Sequence, residues 1–315
     1  MINRKSFITG IKGTKLRTQE IKFLKKHKPW GIILFSRNLK KIKQIRNLTK
    51  HIRKIFKDEK YPIMIDQEGG RVNRLYRFIS LDHLTSDYFG KLFLKNRKEF
   101  NISYKLFIDN ISYFLLILGI NINTVPVLDL KYKGSSNIIG NRSFSNNPNI
   151  ASKIGDLCIE YFRKNSIGTV IKHIPGHGLA KVDSHHFTPI IKKSLNFLKE
   201  NDFKVFKKKN SQFAMTAHVI YNEIDPKNTV THSKKVIKLI RNQIKFKNLL
   251  ISDDLSMKSL RYPIKENTIK AFDAGCNLAL HCSGNIKEMF IVANNSPKLS
   301  SFIIKKTSEF YKNLG

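Results

Sequence analysis

The sequence predicts an α/β fold built on a parallel sheet, because short apolar segments alternate with longer amphipathic ones and polar residues follow most of the apolar segments. The apolar segments are nearly continuous in Ile, Val and Leu, a pattern typical of strands covered by helices on both faces of a sheet. Eight such segments occur, at residues 6–10, 31–35, 62–65, 120–128, 168–171, 212–216, 248–251 and 277–280. The amphipathic stretches include residues 42–56, 102–118, 150–165 and 234–243.

Eight strand–helix units in 315 residues fit a closed sheet better than an open one, and we therefore predict a single (β/α)8 TIM-type barrel. No repeat, low-complexity tract or Gly/Ser/Pro-rich linker divides the chain, so one catalytic domain is expected over residues 1–315. The alternative is a doubly wound, Rossmann-like sheet. Against it, no G-x-G-x-x-G motif opens a helix after the first strands.

Composition limits the environment in which the chain works. A hydrophobic fraction of 41% with 22 Phe predicts a folded protein. No apolar run of signal-peptide length follows the basic amino terminus, and the most apolar stretch, residues 113–120, is far shorter than the ~20 residues that span a bilayer. We therefore expect a cytoplasmic monomer without a membrane partner. The three cysteines lack metal-ligand spacing and are expected to be reduced.

The formal net charge of +35 raises the possibility of a nucleic-acid-binding protein. However, 45 of the 58 basic residues are Lys and are spread along the whole chain, and no zinc-finger, RRM or helix-turn-helix signature accompanies them. No specific nucleic-acid partner is therefore predicted. The rarer arginines are more informative, because Lys cannot replace a planar guanidinium. Those just beyond predicted strands are Arg37, Arg71, Arg74 and Arg142.

Polar residues follow six successive apolar segments, the second to the seventh. One such residue is usually a turn or helix cap, but six in a row predict a common pocket, because catalytic groups of this fold collect at the carboxyl ends of the strands. In chain order they are Arg37 and Asn38, Asp66, Asp129, Lys172 and His173, His218, and Asp253 and Asp254.

The segment NLLISDDLSMKSL contains two adjacent acids after the seventh strand. A structural interpretation makes either acid the N-cap of the next helix. A functional interpretation places Asp253, nearer the strand, in the barrel mouth as an ionised carboxylate, and leaves Asp254 to cap the helix or to pair with a cation.

The segment VIKHIPGHGLAKVDSHHFTP holds four of the ten histidines. His173 and His177 are four residues apart, but Pro175 and Gly176 break any helix that could direct both toward a metal, so no metal site is predicted. Residues 175–189 form a long loop, which is usually functional.

Within this loop, Asp183 and His185 would point the same way in an extended segment, and a carboxylate beside an imidazole favours its protonated form. The pair is a candidate general acid/base, and His186 should then face away.

In PIMIDQEGGRVNRL, Asp66 ends a strand and Arg71 and Arg74 follow a Gly-Gly turn. These side chains could bind a ligand or form a buried ion-pair network at the barrel rim. We favour a ligand role for Asp66, because a carboxylate suits the paired hydroxyls of a sugar.

Taken together, these segments resemble glycoside hydrolase family 3, specifically its single-domain bacterial β-N-acetylglucosaminidases. The resemblance covers about four-fifths of the chain, and KHIPGHG followed by DSH and then SDDLSM is its most specific part. It implies that Asp253 is the nucleophile, that His185 with Asp183 is the acid/base, and that no metal or cofactor is used. By the same matching, the terminal sugar would be bound by Asp66, Arg74, Arg142, Lys172 and His173.

The resemblance further implies that N-acetylglucosamine is removed from anhydromuropeptides, with retention of configuration, during cell-wall recycling. The chain departs from the family pattern at Asn141 and Asn277, where acids are common, and at the additional His186. A glycoside phosphorylase and a β-glucosidase of the same family are the enzymatic alternatives. A basic protein that binds nucleic acid or cell-wall fragments without turnover is the non-enzymatic one.

Overall fold

The computed structural model describes residues 3–184 and 186–314, and its centre is a closed barrel of eight parallel strands. Two further short strands form a separate pair. The ten strands are β1 (Lys5–Gly10), β2 (Pro29–Leu34), β3 (Ile63–Ile65), β4 (Ile122–Asn123), β5 (Gly168–Ile174), β6 (Ile190–Ile191), β7 (Phe213–Thr216), β8 (Ile220–Tyr221), β9 (Leu249–Asp254) and β10 (Leu278–His281).

The α-helices surround this barrel. They are α1 (Thr18–His27), α2 (Ile42–Phe56), α3 (Ser86–Lys95), α4 (Arg97–Leu118), α5 (Pro148–Lys164), α6 (Leu195–Glu200), α7 (Asp202–Phe206), α8 (Lys234–Leu239), α9 (Ile264–Ala274), α10 (Ile286–Asn294) and α11 (Ser301–Lys312).

The strand order around the barrel is β1-β10-β9-β7-β5-β4-β3-β2, and β1 pairs with both β2 and β10. The prediction of a closed (β/α)8 sheet is therefore confirmed, and the open doubly wound alternative is wrong. Each of the eight predicted strand segments overlaps a barrel strand.

The fourth strand is much shorter than predicted, with two residues instead of nine. Pro126 follows it and has no amide N–H to donate to a neighbouring strand. Pairing with β5 resumes only at a single bridge between Val127 and Lys172.

The amino-terminal end of the barrel is closed by packing. Trp30 fills the interior, and its indole Nε1 donates to Thr307 Oγ1 of α11 at 2.8 Å. Phe213 packs edge-on against Phe310 of the same helix, with ring centroids 5.2 Å apart. A second apolar layer lies between the barrel and the surrounding helices. Among the described residues, this packing fills the amino-terminal end of the barrel, so a site is expected at the carboxyl-terminal end.

The short strands β6 and β8 pair in parallel outside the barrel, with Ile190 opposite Ile220. This pair fixes the far end of the long loop at residues 175–189 beside the segment after β7. The amide of Ile220 also donates to the carbonyl of Pro189 at 2.8 Å. The loop therefore returns across the carboxyl-terminal end of the barrel.

In the part of the chain that the structure describes, no helix is both long and apolar enough to cross a bilayer. The three cysteines are unpaired, with Cys158 and Cys276 buried and Cys282 partly exposed.

Candidate active site

A polar cavity lies at the carboxyl ends of the barrel strands, where the sequence predicted a pocket. It gathers charged side chains from the first half of the barrel and a carboxylate from β9. Its lining consists of Ile33, Asp66, Glu68, Val72, Arg74, Ile138, Ile139, Arg142, Lys172, His173, His177, Ser184, Met215, Asp253, Met257, Leu280 and Cys282.

Asp253 lies at the end of β9, and its Oδ1 accepts a hydrogen bond from the amide of Asp254 at 2.8 Å. Burial by itself raises the pKa of a carboxyl group, but the neighbouring His218 and His173 rings, this amide and Lys172 together hold the pKa of Asp253 below its usual value. Asp253 is therefore an ionised carboxylate at neutral pH, which is the state that a nucleophile needs.

Asp66 is placed in the cavity by the end of β3. Its carboxylate contacts Arg74 and Lys172 at 3.3 Å each, and it accepts a hydrogen bond from Thr124 Oγ1. Although burial acts in the opposite direction, these cations hold the pKa of Asp66 well below its usual range. The ion-pair interpretation is therefore confirmed for Asp66 and Arg74. Because both side chains also line the cavity, the ligand role of Asp66 stays a prediction.

Glu68 binds two of the predicted sugar-binding cations at once. Arg142 donates to it through Nε and Nη2, at 2.7 and 2.8 Å, and Lys172 Nζ lies 2.7 Å from Oε1. Against the effect of burial, the two cations lower the pKa of Glu68 to about 2. Their positions in the cavity are thus fixed by a carboxylate that sequence reasoning did not assign to the site.

Asp129 positions the two histidines of the KHIPGHG segment through hydrogen bonds. It accepts hydrogen bonds from His173 Nδ1 at 2.6 Å and from the amide of His177 at 2.7 Å. With Nδ1 engaged by the carboxylate, the other nitrogen of His173, Nε2, is left for a ligand. The ring centroids of the two histidines are 5.6 Å apart, although no helix connects them.

His177 connects this segment to the DSH segment, because its Nε2 lies 3.0 Å from Ser184 Oγ. Burial, reinforced by the neighbouring His173, lowers the pKa of His177 to about 4, so that the ring is neutral at pH 7. Over residues 3–184 and 186–314, no group of three His, Cys, Asp or Glu side chains is arranged to hold a metal ion.

The backbone around Asp183 is not extended as predicted. The amides of His186 and Phe187 both donate to the carbonyl of Asp183, at 3.1 and 2.9 Å, which makes a tight turn. Spacing by two residues therefore does not by itself align Asp183 with His185, and His185 lies outside the described residues. His186 is exposed, as expected for a residue that faces away from the cavity.

The prediction that all the strand-end residues share the pocket is wrong for several of them. Arg37 donates to the carbonyls of Ile11 and Cys282, and Asn38 to those of Ile11 and Gly13, so both brace loops. His218 lies between Thr231 Oγ1 and the carbonyl of Asp254. Each of these polar groups satisfies a buried backbone or side-chain partner instead of facing the cavity.

Two smaller predictions also need correction or refinement. Asp254 does not cap a helix, since α9 begins only at Ile264. Its carboxylate instead accepts hydrogen bonds from Ser256 and from the amide of Cys282. Arg71 donates to backbone carbonyls of residues 137–139 and lies outside the cavity lining.

Of the two positions where the family commonly has an acid, Asn277 lies in the barrel, where its Oδ1 accepts hydrogen bonds from Leu250 N and Arg241 Nη2, both at 2.8 Å. Asn141 is exposed beside Arg142.

The sequence reasoning missed Glu68, His177 and Ser184 as cavity residues. Glu68 lies two residues after Asp66, beside the Gly-Gly turn, and that proximity was the available signal. His177 was considered only as a metal ligand, and Ser184 was overlooked between Asp183 and His185.

The fold and the cavity define a class of protein. An ionised aspartate at the end of a barrel strand faces a cluster of cations and carboxylates that can bind the hydroxyls of a polar substrate, as in barrel enzymes that act on carbohydrates.

The comparisons with known proteins identify the family. The sequence profile described as Glycosyl hydrolase family 3 N terminal domain matches residues 5–305. The chain therefore belongs to glycosyl hydrolase family 3 and is a glycoside hydrolase.

Among curated relatives, a beta-hexosaminidase of Haemophilus ducreyi is 35% identical over 284 residues, covering 88% of this chain and 80% of the relative. One from Neisseria gonorrhoeae is 32% identical over 263 residues, covering 80% and 71%.

The fold of a native NagZ from Neisseria gonorrhoeae superposes with a TM-score of 0.88 at 27% identity, covering 99% of this chain and 90% of that one. The same protein is also known in complex with N-trifluoroacetyl-D-glucosamine, with a TM-score of 0.87, 27% identity and the same coverage.

Proposed function

We propose that this protein is a cytoplasmic, retaining exo-β-N-acetylglucosaminidase that removes N-acetylglucosamine from 1,6-anhydromuropeptides during cell-wall recycling. The observation that carries the proposal is the placement of the ionised Asp253 in the same cavity as the network of Asp66, Lys172 and Arg142. The beta-hexosaminidase relatives support the choice of an N-acetylated amino sugar.

The proposed reaction has two displacements at the anomeric carbon. In the first, an Asp253 carboxylate oxygen bonds to that carbon while the bond to the leaving oxygen breaks, and protonated His185 transfers its proton to that oxygen. In the second, neutral His185 takes a proton from water, the water oxygen bonds to the anomeric carbon, and the ester to Asp253 breaks. Two inversions give overall retention, and no metal or cofactor takes part.

The remaining groups are proposed to hold the terminal sugar in place. Asp66 would accept hydrogen bonds from sugar hydroxyls, while Arg74, Arg142, Lys172 and His173 would donate to its oxygens. Lys172 also lowers the pKa of Asp253, so it would contribute to nucleophile ionisation as well as to binding. Asp183 is proposed to orient and charge the ring of His185.

A direct assay tests this function. Release of nitrophenol from the β-N-acetylglucosaminide is expected to exceed release from the β-glucoside by at least about a hundredfold, since discrimination between such substrates rests on a polar group that the site must satisfy. Equal rates, or a preference for the glucoside, would contradict the proposal. The same incubation with and without inorganic phosphate, analysed for sugar 1-phosphate, separates a hydrolase from a phosphorylase.

A further inference from the structure

One segment of the chain is strongly basic and contains no acidic residue, although Asp58 and Glu59 follow it directly. Residues 21–57 contain 13 Lys and Arg and no Asp or Glu. The whole of α2 lies in this segment, and its residues Lys43, Arg46, Lys50 and Lys54 are all exposed. We call these four residues the α2 basic face. Among the described residues, none of these four side chains forms an ion pair, unlike on helices where Lys and Glu alternate.

Helix α4 exposes a row of large apolar side chains. Ile102, Leu106, Tyr113 and Leu116 are 61%, 60%, 64% and 49% exposed and recur at helical spacing, so they share one face. We call them the α4 stripe. Residues 106–119 hold a single charged residue, Asp109, whose carboxylate is paired with Lys105. Asp109 lies on the same face, between Leu106 and Tyr113. A surface helix normally presents polar residues to water, and a row of exposed apolar side chains interrupted by one acid therefore needs an explanation.

The two surfaces are contiguous. A shallow cavity between the two helices is lined by Arg46, Lys50 and Arg53 from α2 and by Leu116 and Ile117 from α4. Arg53 also donates to the carbonyl of Gly119, just after α4, at 2.9 Å. Within the described residues, exposed apolar side chains and cations that form no ion pair thus lie side by side.

We propose that this combined surface binds the face of an anionic lipid bilayer. Apolar side chains that enter the boundary between headgroups and acyl chains, flanked by Lys and Arg that meet anionic headgroups, are the two components of interfacial binding. Nucleic acid would use the cations but gain little from the α4 stripe. A second copy of the chain would bring its own +35 charge and its own α2 basic face against this one, which opposes association.

The orientation that follows leaves the active site accessible. In a (β/α)8 barrel the helices run alongside the strands, so a bilayer against α2 and α4 lies parallel to the barrel axis. The cavity at the carboxyl ends of the strands then opens sideways into the aqueous phase. The sequence predicted no membrane partner because no segment is long and apolar enough to span a bilayer, and the proposed binding to the bilayer surface requires no such span. The inference does not depend on the proposed function.

Vesicle co-sedimentation of the full chain tests the proposal. Vesicles of phosphatidylethanolamine and phosphatidylglycerol in equal parts should bind the protein, and vesicles of phosphatidylcholine alone should bind it at least about tenfold more weakly. Leu106→Ser with Tyr113→Ser should weaken binding by about tenfold or more, because it removes apolar contact. Lys43→Glu with Lys50→Glu and Lys54→Glu should do the same by removing charge, and added salt should reproduce that loss.

Matched controls separate the surface from the overall charge. Lys234→Glu with Lys235→Glu and Lys238→Glu changes the net charge equally on α8, where the three residues are also exposed, and should retain most of the binding. Thermal melting of each variant checks the fold. Equal losses for the α2 and α8 charge variants, or unchanged binding after removal of the α4 stripe, would overturn the proposal. So would a dimer in light scattering that the α4 variant abolishes while vesicle binding persists.

Discussion

Glu68 and Arg142 form a bidentate pair at the wall of the cavity, with N–O distances of 2.7 and 2.8 Å and with both side chains largely buried. Lys172 shares the same carboxylate at 2.7 Å. One acid therefore fixes two cations that are proposed to bind sugar. Paired guanidinium and carboxylate groups hold a defined geometry, and a buried cation that loses its partner is costly.

Glu68→Gln tests this arrangement. An amide keeps the shape of the side chain but cannot neutralise two buried cations, so Arg142 and Lys172 should shift or bind solvent anions. We expect KM for an aryl N-acetylglucosaminide to rise about tenfold or more, with a loss of a few kcal/mol in the free energy of unfolding. Steady-state kinetics and thermal melting measure the two effects. The exposed pair of Glu160 and Lys164 supplies the control, since Glu160→Gln should change neither quantity. An unaltered KM in Glu68→Gln would show that the pair does not position the sugar-binding groups.

Asp202 provides a test of pH-dependent stability. It lies at the start of α7, 2% exposed, where Tyr132 donates to its Oδ2 at 2.8 Å and its Oδ1 has no hydrogen-bond partner among the described residues. Burial, with the nearby Asp129 carboxylate, raises the pKa of Asp202 to about 7. In the unfolded chain the pKa is about 3.9.

The sign of the effect follows from proton binding. Between about pH 4 and pH 7 the folded protein retains a proton that the unfolded chain has lost, so this group's contribution to stability falls as pH rises through that window. The fall amounts to about 4 kcal/mol at most. Asp202→Asn removes the titration, so the variant should gain stability relative to the parent at pH 8 and much less at pH 5. Calorimetric melting at both values measures this, with the exposed Asp82→Asn as control. Parallel pH profiles for parent and Asp202→Asn would contradict the assignment.

His185→Ala should show a rate loss that depends on the leaving group. Removing an acid/base typically costs ~10²–10⁴-fold, and the cost is greatest where the departing oxygen is strongly basic. We expect severe impairment on a muropeptide and a much smaller effect on a dinitrophenyl glycoside, with a burst as the covalent intermediate accumulates. Stopped-flow release of dinitrophenol measures the burst.

The neighbouring residues supply the controls for that prediction. Asp183→Ala should give a milder version of the same pattern, because Asp183 is proposed only to orient and charge the imidazole. His186→Ala should match the parent, since His186 is exposed. If His185→Ala kept its activity and His186→Ala lost it, the assignment of His185 as the acid/base would be contradicted.

The sequence was sufficient to predict the barrel, because strand period and strand–helix alternation are local patterns. The shortened β4 was not predicted, since the apolar run at residues 120–128 continues through Pro126, where ladder pairing stops. The backbone at Asp183 was wrongly predicted to be extended. The turn there is made by a hydrogen bond from the amide of Phe187 to the carbonyl of Asp183, and a single turn of this kind produces no repeating pattern of residue types in the sequence.

The candidate site was predicted only in part for a similar reason. Asp66, Asp253 and Lys172 stand directly at strand ends, and position along the chain reveals them. Whether a polar residue at a strand end faces the cavity or braces a loop depends on which hydrogen-bond partners, distant in sequence, the fold brings next to it. Arg37 and His218 therefore looked like cavity-lining residues, but Arg37 binds the carbonyl of Ile11, and His218 binds the carbonyl of Asp254 and acts on Asp253 from outside the cavity lining.

Trapping of the covalent intermediate tests the central claim most directly. A mechanism-based fluorinated N-acetylglucosaminide slows the second displacement, so the sugar should stay bonded to the nucleophile long enough for proteolysis and mass spectrometry. We expect the label on Asp253, and Asp253→Ala should lose turnover and labelling while keeping its fold by circular dichroism. A label on Asp254 or Glu68, or full labelling of the Asp253→Ala protein, would contradict the account.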